Sequence, residues 1–181
     1  MTGIVIIGAG HAAGQAAASL RQAKFAGPIT IIGDEAHVPY QRPPLSKQYL
    51  AGTQLADKVY LRAEKFYADK DIQLMLDTRA TQIDPSTKTI NLDNGETIAY
   101  EKLLISTGSR PRKLSIEGSD LSGIHYLRTM DDVDGIRADV KPGANLVIVG
   151  GGYIGLEVAA VGIELGMNVH VLEMEERILQ R

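Results

Sequence analysis

The chain has 181 residues, room for one full domain and at most the beginning of a second. Its 19 Lys and Arg against 22 Asp and Glu leave a net charge of −3, without the basic excess of a dedicated nucleic-acid binder. There is no cysteine, which excludes a disulfide scaffold, a zinc–cysteine site, an iron–sulfur cluster within this chain and any thiol-based redox chemistry.

The amino terminus, Met1-Thr2-Gly3, runs straight into an apolar stretch and lacks both the cationic region and the length of a secretion signal, so the chain reads as cytoplasmic and unprocessed. No apolar run reaches the roughly 18 residues of a spanning helix, and no membrane association is expected. Residues 4–7 (Ile-Val-Ile-Ile) form a first strand. A glycine-rich turn follows, then a small-residue helix over about 11–23, punctuation at Gly27 and Pro28, and a second strand over 29–32. Further on, apolar segments at 87–92 and 97–100 flank Asp93-Asn94-Gly95, and the Asn-Gly pair predicts a tight hairpin with positive φ angles, hence a β-meander. Residues 103–106 read as a buried strand, with a ligand-facing loop over 107–111 at its carboxyl end. A loose segment then leads to a strand over 124–127, a helix over 130–140 and a Lys-Pro-Gly break at 141–143.

From residue 146 the opening theme returns. Residues 146–149 form a strand, a glycine turn leads into a helix over 153–165 that stops at Gly166, and a strand follows over 169–172. Two βαβ openings in one chain predict an α/β protein of tandem Rossmann, doubly wound type with a β-meander insertion. The boundary falls near 112–118, between a first domain over 1–114 and the start of a second over 115–181.

The two glycine turns carry the chemistry. In Gly8-Ala9-Gly10-His11-Ala12-Ala13-Gly14, Gly8 permits the sharp strand-to-helix turn, Gly10 lets backbone amides approach a pyrophosphate, and Ala13 meets the packing requirement of the third position. Asp34, 20 residues beyond Gly14, suits the ribose hydroxyls of an adenosine, and Glu35 beside it could do the same. The second turn fills the glycine positions with Gly150, Gly152 and Gly155 and is answered by Glu173, 18 residues beyond Gly155. An acid there with no Arg directly after it favours NADH over NADPH. Two adenine-dinucleotide sites in a chain without a redox group of its own point to a flavin and a nicotinamide exchanging a hydride.

The run Tyr40-Gln41-Arg42-Pro43-Pro44-Leu45-Ser46-Lys47 resembles the ferredoxin reductases of oxygenase systems, the putidaredoxin reductase-like and rubredoxin reductase-like flavoproteins. So do Leu104 to Gly108, Tyr126 to Thr129, and Gly150 to Glu157, and the resemblance spans the chain in order. It implies a glutathione-reductase-like fold with tandem FAD and NAD domains. It further implies noncovalent FAD, hydride from NADH, and single electrons passed to a ferredoxin or rubredoxin-type iron–sulfur protein. In this resemblance Gly10 and Ala12 neighbour the FAD pyrophosphate, Asp34 accepts its ribose, Arg42 is a cation toward the adenine side, and Ala80 offers main chain to the adenine. Thr107 and Gly108 bring backbone to FAD, Arg128 lies near its phosphates or flavin edge, and Tyr153 covers the flavin until nicotinamide displaces it. Lys47 stands beside the flavin N5 and pairs with Glu157. A carboxylate two residues past a glycine turn on an apolar helix face is costly to bury unless paired, which agrees with that partner.

Such relatives run to about twice this length, so the chain reads as an amino-terminal fragment lacking the later Gly-Asp segment that holds the ribityl chain. The thiol-dependent coenzyme A-disulfide reductases and NADH oxidases are excluded by the missing cysteine. Monodehydroascorbate reductase-like and apoptosis-inducing-factor-like flavoproteins share the Arg-Pro-Pro-Leu-Ser-Lys type of motif and remain an alternative. So does a sensor module that binds dinucleotides without catalysis. The four histidines, His11, His37, His125 and His170, show no metal-ligand spacing, and the oligomeric state is open.

Overall fold

The structure, a computed structural model, describes residues 3–180. Met1, Thr2 and Arg181, which the sequence reading placed at the start of the first domain and at the end of the second segment, lie outside the described residues. Two compact units interleave along the chain: one takes the chain up to Gln41 with Tyr60–Ser109, the other Arg42–Val59 with the chain from Arg110 on. The linear division after residue 114 drawn from the sequence therefore has no counterpart for 42–59, which packs with the second unit.

In the first unit, β1 (Ile4–Ile7), β2 (Ile29–Ile32), β3 (Ile72–Met75) and β7 (Lys102–Ile105) form a parallel sheet in the order β3-β2-β1-β7. A strand covered on both faces must be apolar at every position, which is why β1 and β2 read as unbroken Ile and Val apart from Thr30. Alternate residues then serve different layers. Ile6, Ile29 and Ile31 pack with Ala13 and Ala17 of α1 (His11–Gln22) and with Tyr67 of the short helix α3 (Glu64–Asp69). Val5, Ile7 and Ile32 pack instead with Ile90 and Leu92 of an antiparallel meander made of β4 (Ala80–Asp84), β5 (Thr89–Leu92) and β6 (Thr97–Ala99), and with Tyr100 directly after β6.

Two expectations change here. The hairpin between β5 and β6 is not the two-residue loop suggested by Asn94-Gly95. Gly95 N–H donates to Leu92 O at 3.2 Å, so Asp93 and Asn94 are the central residues, and Gly95 alone has a positive φ, +87°. That is a turn followed by a glycine bulge, which spares Asn94 the left-handed region. And β7, expected buried, is an edge strand with Leu104 38% and Ile105 59% exposed, because among the described strands only β1 pairs with it.

The second unit holds a 3-10 helix (Pro43–Ser46), the short α2 (Ala56–Val59), α4 (Met130–Asp139), β8 (Asn145–Val149), α5 (Tyr153–Glu164) and β9 (Asn168–Leu172). β8 and β9 pair in parallel over five residues, and α5 lies on one face of them. A Cβ on Gly162 would stand 2.7 Å from Leu146 Cδ2 and 3.0 Å from Val169 Cγ2, so the helix lies close on the strands and a larger residue there would have to displace those side chains. On the other face Val147, Val149 and Leu172 are exposed. α4 opens with a reciprocal capping box: Thr129 Oγ1 accepts from Asp132 N at 3.1 Å, and Asp132 Oδ2 accepts from Thr129 N at 2.8 Å. The strand expected over 124–127 does not form, since no described strand offers that backbone a ladder.

Candidate functional site

The first glycine turn lies where β1 is flanked by β2 on one side and β7 on the other, the place where a parallel sheet reverses its winding and opens a crevice at its carboxyl ends. Gly8 has φ +102°, and a Cβ there would meet Ser106 O at 2.3 Å, so the first turn lies directly against the Ser106-Thr107 backbone that leaves β7. Gly10 is the N-cap of α1, without a side-chain cap or an acidic residue in the first turn, and a Cβ on it would meet nothing within 4 Å. The helix thus presents uncapped N–H groups and its positive end to open space, while Ala12 is exposed and Ala13 fully buried against the sheet. Gly33 packs on Ala9, which brings the residue after it, exposed Asp34, to the same end of the sheet. Glu35 differs: its Oε2 accepts a 2.5 Å hydrogen bond from the Tyr40 hydroxyl. Ala80 begins β4 half-buried, and Thr107 and Gly108 are exposed beyond β7, with Gly108 at φ +69°.

The second turn repeats the first in backbone detail. Gly150 has φ +108° and its N–H donates to Leu172 O at 2.8 Å, as Gly8 N–H donates to Ile32 O at 2.7 Å. Gly152 is an N-cap with φ −79° and ψ −179°, against −87° and −168° at Gly10, and it too lacks a side-chain cap and leaves its Cβ position open. Gly155 supplies the close contact of helix on turn, where a Cβ would lie 2.2 Å from Gly150 O. Tyr153 starts α5 with 70% exposure. Glu173, directly after β9, is fixed through both oxygens: Oε2 accepts from Gly151 N at 2.7 Å, and Oε1 from Met174 N at 2.7 Å and Glu175 N at 3.0 Å. In both turns the open space, the bare helix end and the acid after the second strand match a dinucleotide's pyrophosphate and adenosine ribose.

Within the second unit the structure joins Lys47 to Glu157. Lys47 Nζ lies 2.7 Å from Glu157 Oε1 and donates to Pro43 O at 3.3 Å. A third member escaped the sequence reading: Ser46 Oγ donates to Glu157 Oε2 at 2.5 Å from a residue only 4% exposed. These bonds from Lys47 and Ser46 hold the Glu157 carboxyl below the usual carboxylate range. Arg42 and Arg128 also meet, through a 2.6 Å bond from Arg42 Nη1 to the Arg128 carbonyl, while Arg128 N donates to Asp132 Oδ2. Tyr49 Oη donates to Asp134 Oδ1 at 3.0 Å beneath the Arg137 guanidinium. Nothing in local sequence marks Ser46, Tyr49 or Asp134, since each bond spans 85 residues or more. Only Ser46's place inside the motif ending at Lys47 could have signalled it. Among the described residues no cluster of His, Asp and Glu is arranged to hold a metal ion, and no helix is long and apolar enough to cross a membrane.

Residues 2–181 match the model of a family described as pyridine nucleotide-disulphide oxidoreductase. Among curated proteins, the chain is similar to a probable ferredoxin reductase of Castellaniella defragrans, 44% identical over 97% of this chain and 43% of that protein. It is also similar to the rubredoxin-NAD(+) reductase of Pseudomonas putida, 42% identical over 98% of this chain and 46% of that protein. Among solved structures, a ferredoxin reductase from Rhodopseudomonas palustris matches with a TM-score of 0.93 and 40% identity, over 99% of this chain and 44% of that one. The reductase in the covalent putidaredoxin reductase–putidaredoxin complex matches with a TM-score of 0.90 and 38% identity, over 99% and 44%. The chain therefore spans less than half the length of each of these relatives.

Proposed function

The chain belongs to the pyridine nucleotide-disulphide oxidoreductase family, and from that premise we propose that it is the dinucleotide-binding portion of an NADH-dependent flavoprotein reductase. The electron acceptor in this reading is a ferredoxin or rubredoxin-type iron–sulfur protein, the kind of partner named for its relatives, with an oxygenase as the consumer. The observation that carries the reading is the repetition of one backbone device, a positive-φ glycine and then a bare glycine N-cap, once in each unit. One such turn serves one dinucleotide; a reductase that moves a hydride from nicotinamide to flavin needs two.

FAD, when bound, supplies the chemistry the chain lacks, accepting two electrons as a hydride and releasing them singly. Gly8, Gly10, Ala12 and Ala13, with Thr107 and Gly108, serve the first dinucleotide; Asp34, 20 residues beyond Gly14, is the ribose acceptor, and Glu35 beside it could do the same. Ala80 offers backbone to the adenine, and Arg42 and Arg128 supply positive charge. Gly150, Gly152 and Gly155 serve NADH. Glu173 reads its ribose, and a fixed carboxylate there rejects a 2′-phosphate. Lys47, held by Glu157, keeps a positive charge on the hydride path, and Tyr153 is the exposed ring that nicotinamide displaces. A cytoplasmic setting belongs to the same reading, because NADH is available there.

The reading is tested by an absorption spectrum of the purified protein with added FAD, followed by anaerobic NADH. Bound flavin that bleaches rapidly supports the reductase. Flavin that binds but bleaches slowly or not at all overturns it in favour of a non-catalytic dinucleotide sensor.

A further inference from the structure

Glu157 presents two oxygens, and two consecutive residues take one each: Ser46 donates to Oε2 and Lys47 to Oε1. The two contacts are not equivalent. Lys47 is a long side chain, 40% exposed here, whose freely rotating ammonium follows the carboxylate oxygen it meets rather than fixing that oxygen's direction. Ser46 is 4% exposed, its hydroxyl has one short bond to give, and the ionised carboxylate can only accept it. It sits at the end of a 3-10 helix whose first two residues, Pro43 and Pro44, have fixed φ, so the donor is anchored by stiff backbone. The terminal torsion of a glutamate is otherwise broad, and a bond from a fixed donor to one oxygen selects the rotation that aims the other.

We infer that Ser46 is a positioning residue for the Lys47–Glu157 pair: its buried hydroxyl sets the rotation of the Glu157 carboxylate and thereby the place of the Lys47 ammonium. The inference rests on the reading that this pair serves hydride transfer. Lys47 is the charged group set against Glu157 from the 3-10 helix side, and Arg42 at that helix's other end is turned to the Arg128 carbonyl. β8 and β9, packed on α5, carry one titratable side chain, His170, at a position alternate to Val169, which faces the helix.

The test is stopped-flow reduction of the flavin-loaded protein by NADH across pH, comparing Ser46→Ala, Ser46→Cys and Ser46→Thr in the native background and in Glu157→Gln. Ser46→Ala slows reduction by about three- to tenfold, with NADH affinity held within about twofold. It also moves the acid limb of the rate profile to higher pH, because the carboxylate has lost a bond that favours its charged form. Ser46→Thr restores both, and in Glu157→Gln the Ser46→Ala effect vanishes. Ser46→Cys, nearly isosteric with a weak donor, carries the same test if the alanine variant fails to fold. An unchanged rate and acid limb in both variants, or a loss of equal size in the Glu157→Gln background, overturns the inference. Should NADH fail to reduce the native flavin, the functional reading falls separately. Carbon-13 NMR titration of Glu157 in the same variants then decides the Ser46 role: a midpoint unmoved in Ser46→Ala rejects it.

Discussion

Lys47 and Arg21 are both basic, and the structure uses them in opposite ways. Lys47 meets one carboxylate and one carbonyl from a partly exposed position, an arrangement that holds a charge in place and adds little to folding. Replacing it by Ala is therefore expected to leave stability nearly unchanged. The same change slows flavin reduction by NADH by one to two orders of magnitude, about 1.4 to 2.7 kcal/mol of barrier, as read by anaerobic stopped flow. Its partner sets the acid response. Glu157 is held below its unfolded value by Lys47 and Ser46, so the stability it contributes is fully present above the ordinary carboxylate range and lost as pH falls through its depressed folded value. Glu157→Gln removes that acid-sensitive part, which denaturant titrations at neutral and acidic pH will show as a smaller stability difference from the native protein at low pH than at neutral pH. Arg21, by contrast, donates to four carbonyls, those of Phe25, Gly27, Lys70 and Asp71, at 2.7 to 2.8 Å. It ties the end of α1 to the chain entering β2 and to the turn before β3. An ammonium has three donors and no planar fork, so Arg21→Lys leaves carbonyls without a partner and costs about 1 to 3 kcal/mol in urea denaturation, with flavin chemistry untouched.

At the level of elements, the two βαβ openings differ instructively where their helices end. After α5 the chain turns through Gly166 at φ +77°, with Met167 N–H donating to Gly162 O at 2.9 Å. After α1 the same closure is made by Lys24 at φ +61°, with Phe25 N–H donating to Leu20 O at 3.0 Å. A residue with a Cβ is strained in the left-handed region, so Lys24→Gly is expected to stabilise the first unit by about 0.5 to 1 kcal/mol, measured by thermal or urea unfolding. Gly166 was legible as a stop in the sequence because glycine announces itself; Lys24 was not, because lysine carries no turn signal and the closure is imposed by the packing of α1. The same division runs through the rest of the molecule. Strands β1 and β2 and both helices after the glycine turns were readable because burial on both faces, or a glycine N-cap, leaves a local pattern. The edge position of β7 and the unpaired state of 124–127 were not, because a strand's neighbours are set by distant segments. Lys47 with Glu157 was reachable through the motif that contains Lys47. Ser46 on the same carboxylate depends on a fold that closes 111 residues, which no local spacing records.

Across the whole molecule the assignment of one dinucleotide to each unit makes a prediction that separates the two turns. Gly10 and Gly152 both have ordinary negative φ, and a Cβ at either would meet nothing within 4 Å, so a larger residue can enter without strain or clash. A glutamate placed there puts a carboxylate at a bare helix N-terminus, where it is welcome to the helix and occupies the place a pyrophosphate would take. Both substitutions are therefore expected to leave unfolding midpoints unchanged or slightly raised while acting on different ligands. Gly10→Glu weakens FAD binding by at least about tenfold, seen in flavin retention on gel filtration and in titration. Gly152→Glu leaves the flavin in place and weakens NADH to a similar degree, so that bleaching still occurs but half-saturates at higher NADH. Were Gly152→Glu to expel the flavin, or Gly10→Glu to spare it, the order of the two sites along the chain would be reversed.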